Sequence, residues 1–157
     1  MRHAVRIIAL LALCALPAGC GSYTKGDFVA SANAICASTV RQTRSIAPPS
    51  FTSSKAQQLS ALAGYLADVL PIVQSEAGQI RALQTPVGSA RERALLGRYR
   101  GALEQTATDY AKLAAAAKRG DAQGVTSAEA ALRASQVTSL ADAYGLRSCG
   151  TPGATVA

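Results

Sequence analysis

Four cysteines are the residues of this 157-residue chain with the greatest capacity for chemistry. Cys14 and Cys20 lie close together near the N-terminus, whereas Cys36 and Cys149 lie far apart in the rest of the chain. A thiol can be alkylated, can pair in a disulfide or can bind a metal ion. The residues around each cysteine indicate which of these chemistries applies to it.

The segment 1–19 has the pattern of an export signal. Arg2, His3 and Arg6 form a basic start, and an unbroken apolar run follows from Ile7 to Leu16. About ten apolar residues suit a signal peptide but fall short of the roughly 20 that a spanning helix needs. We therefore predict export with the basic end held inside. An N-terminal core helix is the alternative.

Cys20 closes the segment Leu16-Pro17-Ala18-Gly19-Cys20. The last three positions resemble the lipobox of bacterial lipoproteins, whereas Pro17 stands where that family usually has leucine. The resemblance implies that a diacylglycerol alkylates the Cys20 thiol and that the chain is cut just before it. It also implies a mature protein anchored on the extracytoplasmic side of the cell membrane, since two acyl chains hold a protein stably at a bilayer. An ordinary secretory cut is the alternative.

Cys36 and Cys149 are the two cysteines that remain after signal removal and lipidation. Disulfides persist in oxidising compartments, so we predict one bridge between them. Two free thiols are the alternative. A metal site is disfavoured because the only histidine, His3, lies in the predicted signal and two cysteines alone do not complete a zinc site. No cofactor is expected.

The acidic residues suggest no enzymatic centre. The predicted mature chain has no histidine for a Ser-His or Cys-His pair, and its nine acids are scattered. Asp68 and Glu76 come nearest to a carboxylate pair, and we interpret them as two solvated side chains. Loss of Arg2 and Arg6 with the signal lowers the net charge from +7 to +5. This excess is modest and favours solubility.

A basic face on the third predicted helix is the best candidate for a binding surface. Arg93 and Arg100 are seven residues apart and share a face, and Arg91 and Arg98 form a second row. This face is a candidate contact for an anion or a cell-wall polymer. A solvated face, partly paired with neighbouring glutamates, is the simpler interpretation. Nucleic acid is disfavoured as a partner because the domain is predicted to lie outside the cell.

Helical periodicity positions these residues, and no strand-like alternation of useful length occurs. Apolar residues recur at three- and four-residue spacing in four segments, which are separated by proline or glycine turns. The predicted helices run from about Asp27 to Ile46, from Thr52 or Ser53 past Ile80, from Ser89 to Arg119 and from Asp121 to Gly145. Short connections favour an antiparallel up-and-down four-helix bundle, stapled by the one disulfide. Pro71 is expected to bend the second helix without ending it.

The segments 27–36 and 144–150 resemble an uncharacterised group of small helical lipoproteins from high-GC Gram-positive bacteria. The resemblance implies a secreted helical domain with one cysteine near each end, and it implies no activity. The predicted organisation is a signal over 1–19, a lipidated tether over 20–26, a helical domain over 27–150 and a flexible tail over 151–157.

A non-enzymatic binding or interaction module of the cell envelope is the function we expect. Its partners are the membrane, through the lipid, and an envelope protein or cell-wall polymer. The alternative is a small-molecule binder with an apolar pocket between bent helices. A pocket of several hundred cubic ångströms lined by tyrosines is typical of that alternative, whereas an exposed apolar patch on the fourth helix favours the interaction module.

Overall fold

The structure is a computed structural model that describes residues 22–50 and 54–149. Its helices are α1 (Lys25–Arg44), α2 (Lys55–Ala82), α3 (Ala90–Lys118), α4 (Ala122–Arg133) and α5 (Val137–Tyr144). The predicted all-α bundle is confirmed. The predicted signal, Cys20 and the predicted tail lie outside the described residues.

Reciprocal capping boxes define where α1 and α3 begin. In α1, Asp27 N–H donates to Thr24 Oγ1 at 3.2 Å, and Thr24 N–H donates to the Asp27 carboxylate at 2.8 Å. Ser89 and Glu92 repeat this arrangement at the start of α3. Each box satisfies backbone donors that the first helical turn leaves unpaired. The first helix therefore begins at Lys25 rather than at Asp27, whose carboxylate closes the box from inside the helix.

Helix α2 passes through Pro71 without interruption, as predicted. Pro71 is exposed, so its ring and its missing N–H lie on the solvent side. Leu66, Val69 and Val73 are buried on either side of it. Because the buried stripe keeps its helical phase across the proline, packing holds the helix together at a position where proline disfavours it.

The segment after Asp121 forms two helices, whereas we predicted one. It is divided into α4 and α5 by residues 134–136. Ser135 Oγ lies 2.8 Å from Thr106 Oγ1 of α3 and accepts a hydrogen bond from Val137 N–H at 3.3 Å. Residues 133–136 carry no large apolar side chain to bury. Local hydrogen bonds by serine therefore compete successfully with the helical ladder here.

Two buried clusters follow one another along the α2–α3 hairpin. The first joins α1, α5, the second half of α2 and the first half of α3, and includes Phe28, Tyr99 and Tyr144. The second joins α4 to the first half of α2 and the second half of α3, and includes Leu62 and Leu113. Helix α1 contributes only to the first cluster. Four helices (α1, α2, α3 and α5) therefore pack around the first cluster, and three (α2, α3 and α4) pack around the second.

Candidate functional site

The two predicted disulfide partners are joined. Cys36 of α1 and Cys149 form an S–S bond of 2.02 Å with their Cα atoms 5.0 Å apart. Gly145 ends α5 in the left-handed conformation, with φ of 97°. Leu146 is then fully buried, and Ser148 N–H donates to the Asn33 side chain at 2.9 Å. The segment after α5 thus folds back along α1, and the disulfide prediction is confirmed.

The chain enters the domain beside the loop that joins α2 to α3. Val87 N–H donates to the Tyr23 carbonyl at 3.0 Å. Pro86 is buried, whereas Val87 is 72% exposed and is the only large apolar side chain so open among residues 22–50 and 54–149. The hydrogen bond holds the tip of this loop next to the point where any anchor attached before residue 22 reaches the domain.

Lys25 links three helices at the same end. Its ammonium lies 3.5 Å from the Glu92 carboxylate and 4.8 Å from the centre of the Tyr144 ring. The Tyr144 ring in turn meets Phe28 edge-on at 5.7 Å between centroids. Glu92 accepts hydrogen bonds from Ser89 backbone and side chain, and with Lys25 these hold the pKa of Glu92 below its usual value. The pair is half-exposed, so its direct contribution to stability is small.

Arg100 holds the α2–α3 loop in place. Its guanidinium donates to the Leu83 carbonyl at 2.7 Å and to Thr85 Oγ1 at 3.0 Å. It also lies over the Phe28 ring, 5.3 Å from the centroid. The guanidinium thus satisfies the Leu83 carbonyl at the end of α2, a position where cations suit the helix dipole. Arg100 therefore has a structural role that its sequence position did not reveal.

The structure separates Arg93 from Arg100. Arg93 and Arg91 are exposed, and Arg93 donates to the Gly88 carbonyl in the loop. The glutamates expected to pair with this basic face bond elsewhere, Glu92 to Lys25 and the other, at position 104, to an arginine of α2. The two arginines do not converge on one site.

Glu76 is not the solvated carboxylate that we predicted. It lies between α2, α1 and α3, where burial raises its pKa to about 7, and a hydrogen bond with the Thr39 side chain opposes that shift. Its charge in turn raises the pKa of Tyr99 and Tyr110, although burial is the larger cause for both. The prediction was wrong because α1 packs against α2 at this point, where the Thr39 hydroxyl reaches the carboxylate and the side chain is only partly exposed.

Polar side chains of α1 and α3 lie near Glu76 of α2. The Thr39 hydroxyl bonds to its carboxylate, and Tyr99 and Tyr110 respond to its charge. We call these four residues the polar layer. Tyr99 is completely buried, and its hydroxyl has no hydrogen-bond partner. Thr43 is buried and donates to the Thr39 carbonyl at 3.0 Å. This layer places an ionisable group and an unsatisfied hydroxyl near the middle of a small apolar domain.

Asp109 is a second buried carboxylate that sequence reasoning missed. It is 5% exposed and accepts hydrogen bonds from Lys112 at 2.8 Å and Gln105 at 3.0 Å. The bond from Lys112 is the main reason that its pKa is lowered. The spacing of Gln105, Asp109 and Lys112 along one helix is the sequence signal that announces this arrangement. Lys112 thus stabilises the charged form of Asp109, whereas burial disfavours the charged form of Glu76.

A shallow groove lies between the beginnings of α2 and α4. Its volume is about 200 Å³, its floor includes Leu62 and Val125, and Lys55 and Glu129 line it as well. Ligand pockets usually occupy roughly 300 to 1,000 Å³. The groove has no tyrosine in its lining, so it lacks the feature that would favour the small-molecule alternative. The exposed apolar patch expected on the fourth helix for the interaction module is likewise not found within α4 and α5.

The described part of the chain has neither a metal-binding cluster nor a helix that could span a membrane. Residues 22–50 and 54–149 contain no group of three or more histidine, cysteine or acidic side chains arranged to hold a metal ion. Within the same ranges, none of the helices combines the length and apolarity needed to cross a membrane. The chain matches no protein-family model, no curated protein and no solved structure.

Proposed function

We propose that this chain is a lipid-anchored extracytoplasmic protein whose helical domain is a non-enzymatic interaction module of the cell envelope. The anchor is Cys20, and the domain's partner is another envelope protein. The disulfide that joins Cys36 to Cys149 is the observation that carries the proposal. Such bonds form and persist in oxidising compartments and are rare in the cytosol of most bacteria.

The placement of the chain ends supports an anchored domain. The first described residues bond to the α2–α3 loop, and the disulfide fastens the segment after α5 to α1. Helix α2 has 28 residues and therefore extends about 42 Å from this end. An anchor at Cys20 would hold one end of the bundle at the bilayer and present the groove between α2 and α4 well away from it.

Metabolic labelling with radioactive palmitate tests the anchor. We expect the wild-type protein to be labelled and to partition into detergent, and Cys20→Ser to lose both properties. Cys14→Ser is the matched control, since that cysteine lies in the predicted signal and should leave labelling unchanged. Equal labelling of the Cys20→Ser protein would exclude Cys20 as the anchor.

Site-specific photocrosslinking in the native envelope tests the interaction. A crosslinker at Thr126, which lines the groove, should yield an adduct that protease removes. The control crosslinker at Gln79 lies on the exposed face of α2 and should yield little. An adduct removed by a muramidase instead would identify a cell-wall polymer. Equal adducts from both positions would contradict a defined interaction surface.

A further inference from the structure

One end of the domain combines the entry of the chain with the loop between α2 and α3. We call it the loop end, and it consists of the α2–α3 loop over 84–89, the first turn of α3, and the adjoining residues Tyr23 and Lys25. Two contacts connect its parts, the bond from Val87 N–H to the Tyr23 carbonyl and the ion pair between Lys25 and Glu92. The loop tip and the entry of the chain are therefore one surface.

Covalent geometry limits how far this end lies from an anchor at Cys20. Tyr23 is three positions after Cys20, and an extended chain gains at most about 3.6 Å per position. The Cα atom of Cys20 is thus within about 11 Å of that of Tyr23. A diacylated cysteine has its glyceryl group in the headgroup layer. The loop tip, bonded to Tyr23, is then held within reach of the same layer.

The chemistry of this end suits a lipid surface. A single exposed valine is ordinary on a soluble protein, but Val87 is the most open large apolar side chain described and lies at the point of tethering. Arg91 and Arg93 are exposed on the adjacent first turns of α3. The acids nearby, Asp27 and Glu92, have their carboxylates bound in capping boxes. Guanidinium groups pair well with lipid phosphates.

We infer that the domain rests with this end on the bilayer, with Val87 in the headgroup layer and Arg91 and Arg93 on the phosphates of anionic phospholipids. The inference rests on the proposed lipid anchor. The hydrogen bond from Val87 N–H and the hydrogen bonds from Arg100 to Leu83 and Thr85 hold the loop in one conformation. The α2–α3 hairpin then stands away from the membrane and does not lie along it.

Tryptophan fluorescence tests the orientation, because the chain has no tryptophan of its own. Val87→Trp is introduced into the full lipidated protein in vesicles that contain anionic phospholipid and a spin-labelled lipid. Gln123→Trp, exposed at the opposite end at the start of α4, is the matched control. We expect blue-shifted emission and several-fold stronger quenching at position 87. Equal emission and equal quenching at both positions would overturn the inference.

A second variant tests the arginines. Arg91→Gln with Arg93→Gln in the Val87→Trp protein should reduce quenching on anionic vesicles to the level seen on zwitterionic ones. Helix content by circular dichroism checks that α3 remains folded, and Arg91→Gln alone separates contact with phosphates from loss of the Arg93 bond to the Gly88 carbonyl. Quenching that depends on neither the arginines nor the lipid charge would refute their contact with phosphates.

Failure of the anchor and failure of the orientation are distinguishable. Mass spectrometry of Cys20 from native membranes decides the anchor. For the orientation, Cys20 of the signal-free protein can be coupled to a maleimide lipid, since Cys36 and Cys149 are bonded to each other and leave Cys20 as the free thiol. An unmodified Cys20 in cells together with strong quenching of the coupled protein would reject the proposed function alone. Natural acylation with no quenching would reject the orientation alone.

Discussion

Glu76 should make the domain less stable as the pH rises towards neutrality. Its pKa is about 7 in the folded protein against a usual value of 4.5. The folded state therefore holds the proton more tightly, and the stability that this group contributes is complete below about pH 4.5. That stability is lost as the pH rises to about 7. A shift of about 2.5 units corresponds to a loss of roughly 3 kcal/mol.

The pH window isolates this group from other carboxylates. The pKa values of Asp27, Glu92 and Asp109 are lowered, so their contributions are lost only as the pH falls through the range below about 4. Between pH 5 and 8 those three stay ionised in both states. The groups that face Glu76 are the Thr39 hydroxyl from α1 and the tyrosines of α3, rather than cations.

Urea unfolding followed by circular dichroism at pH 5, 6, 7 and 8 measures the effect. We expect the free energy of unfolding to fall across this range, and Glu76→Gln to abolish most of the fall by keeping the site neutral. Glu104→Gln is the control, since Glu104 is an exposed partner of Arg81, and should keep the wild-type slope. A stability that rises from pH 5 to 8, or an unchanged slope in Glu76→Gln, would refute the burial argument.

Three further substitutions test the packing. Replacing both Cys36 and Cys149 by serine should lower the free energy of unfolding by roughly 4 kcal/mol, because the bond spans 113 residues of sequence. Calorimetry under non-reducing conditions measures this loss, and an unchanged melting temperature would contradict the prediction. Pro71→Ala should leave helix content intact and raise stability by up to about 3 kcal/mol, since a helix-interior proline is removed; a sharp drop in circular dichroism at 222 nm would show otherwise. Tyr99→Phe removes a buried hydroxyl without a partner and should be neutral or stabilising by about 1 kcal/mol; a loss above about 2 kcal/mol would mean that the hydroxyl is satisfied in solution.

The helices and the disulfide were predictable because local patterns determine them. Capping residues such as Ser89 mark helix starts, and Gly145 marks an end. Pro71 was correctly kept inside α2 because its apolar stripe stays in phase. Cys36 and Cys149 were paired by elimination, given the predicted fates of the other two cysteines. Each of these features depends on neighbouring residues, on helical spacing or on the number of cysteines in the chain.

Contacts between helices decided features that the local sequence pattern did not reveal. Asp109 is 5% exposed, because α3 is covered on several sides by the other helices. The break between α4 and α5 depends on Ser135 meeting Thr106 of another helix. Arg100 became a structural residue only once α1 placed Phe28 beneath it.

The sequence by itself determined the helical class, the turns that contain proline or glycine and the cysteine pairing, since these follow from spacing, caps and composition. It also carries the lipobox-like segment that ends at Cys20, which motivates the proposed anchor. Only the tertiary structure decided that Glu76 is shielded from water and that Val87 lies beside the entry of the chain. The physical reason is that burial and proximity depend on where neighbouring helices cross. A one-dimensional pattern specifies which face of a helix is apolar, but not which partner helix covers its edges.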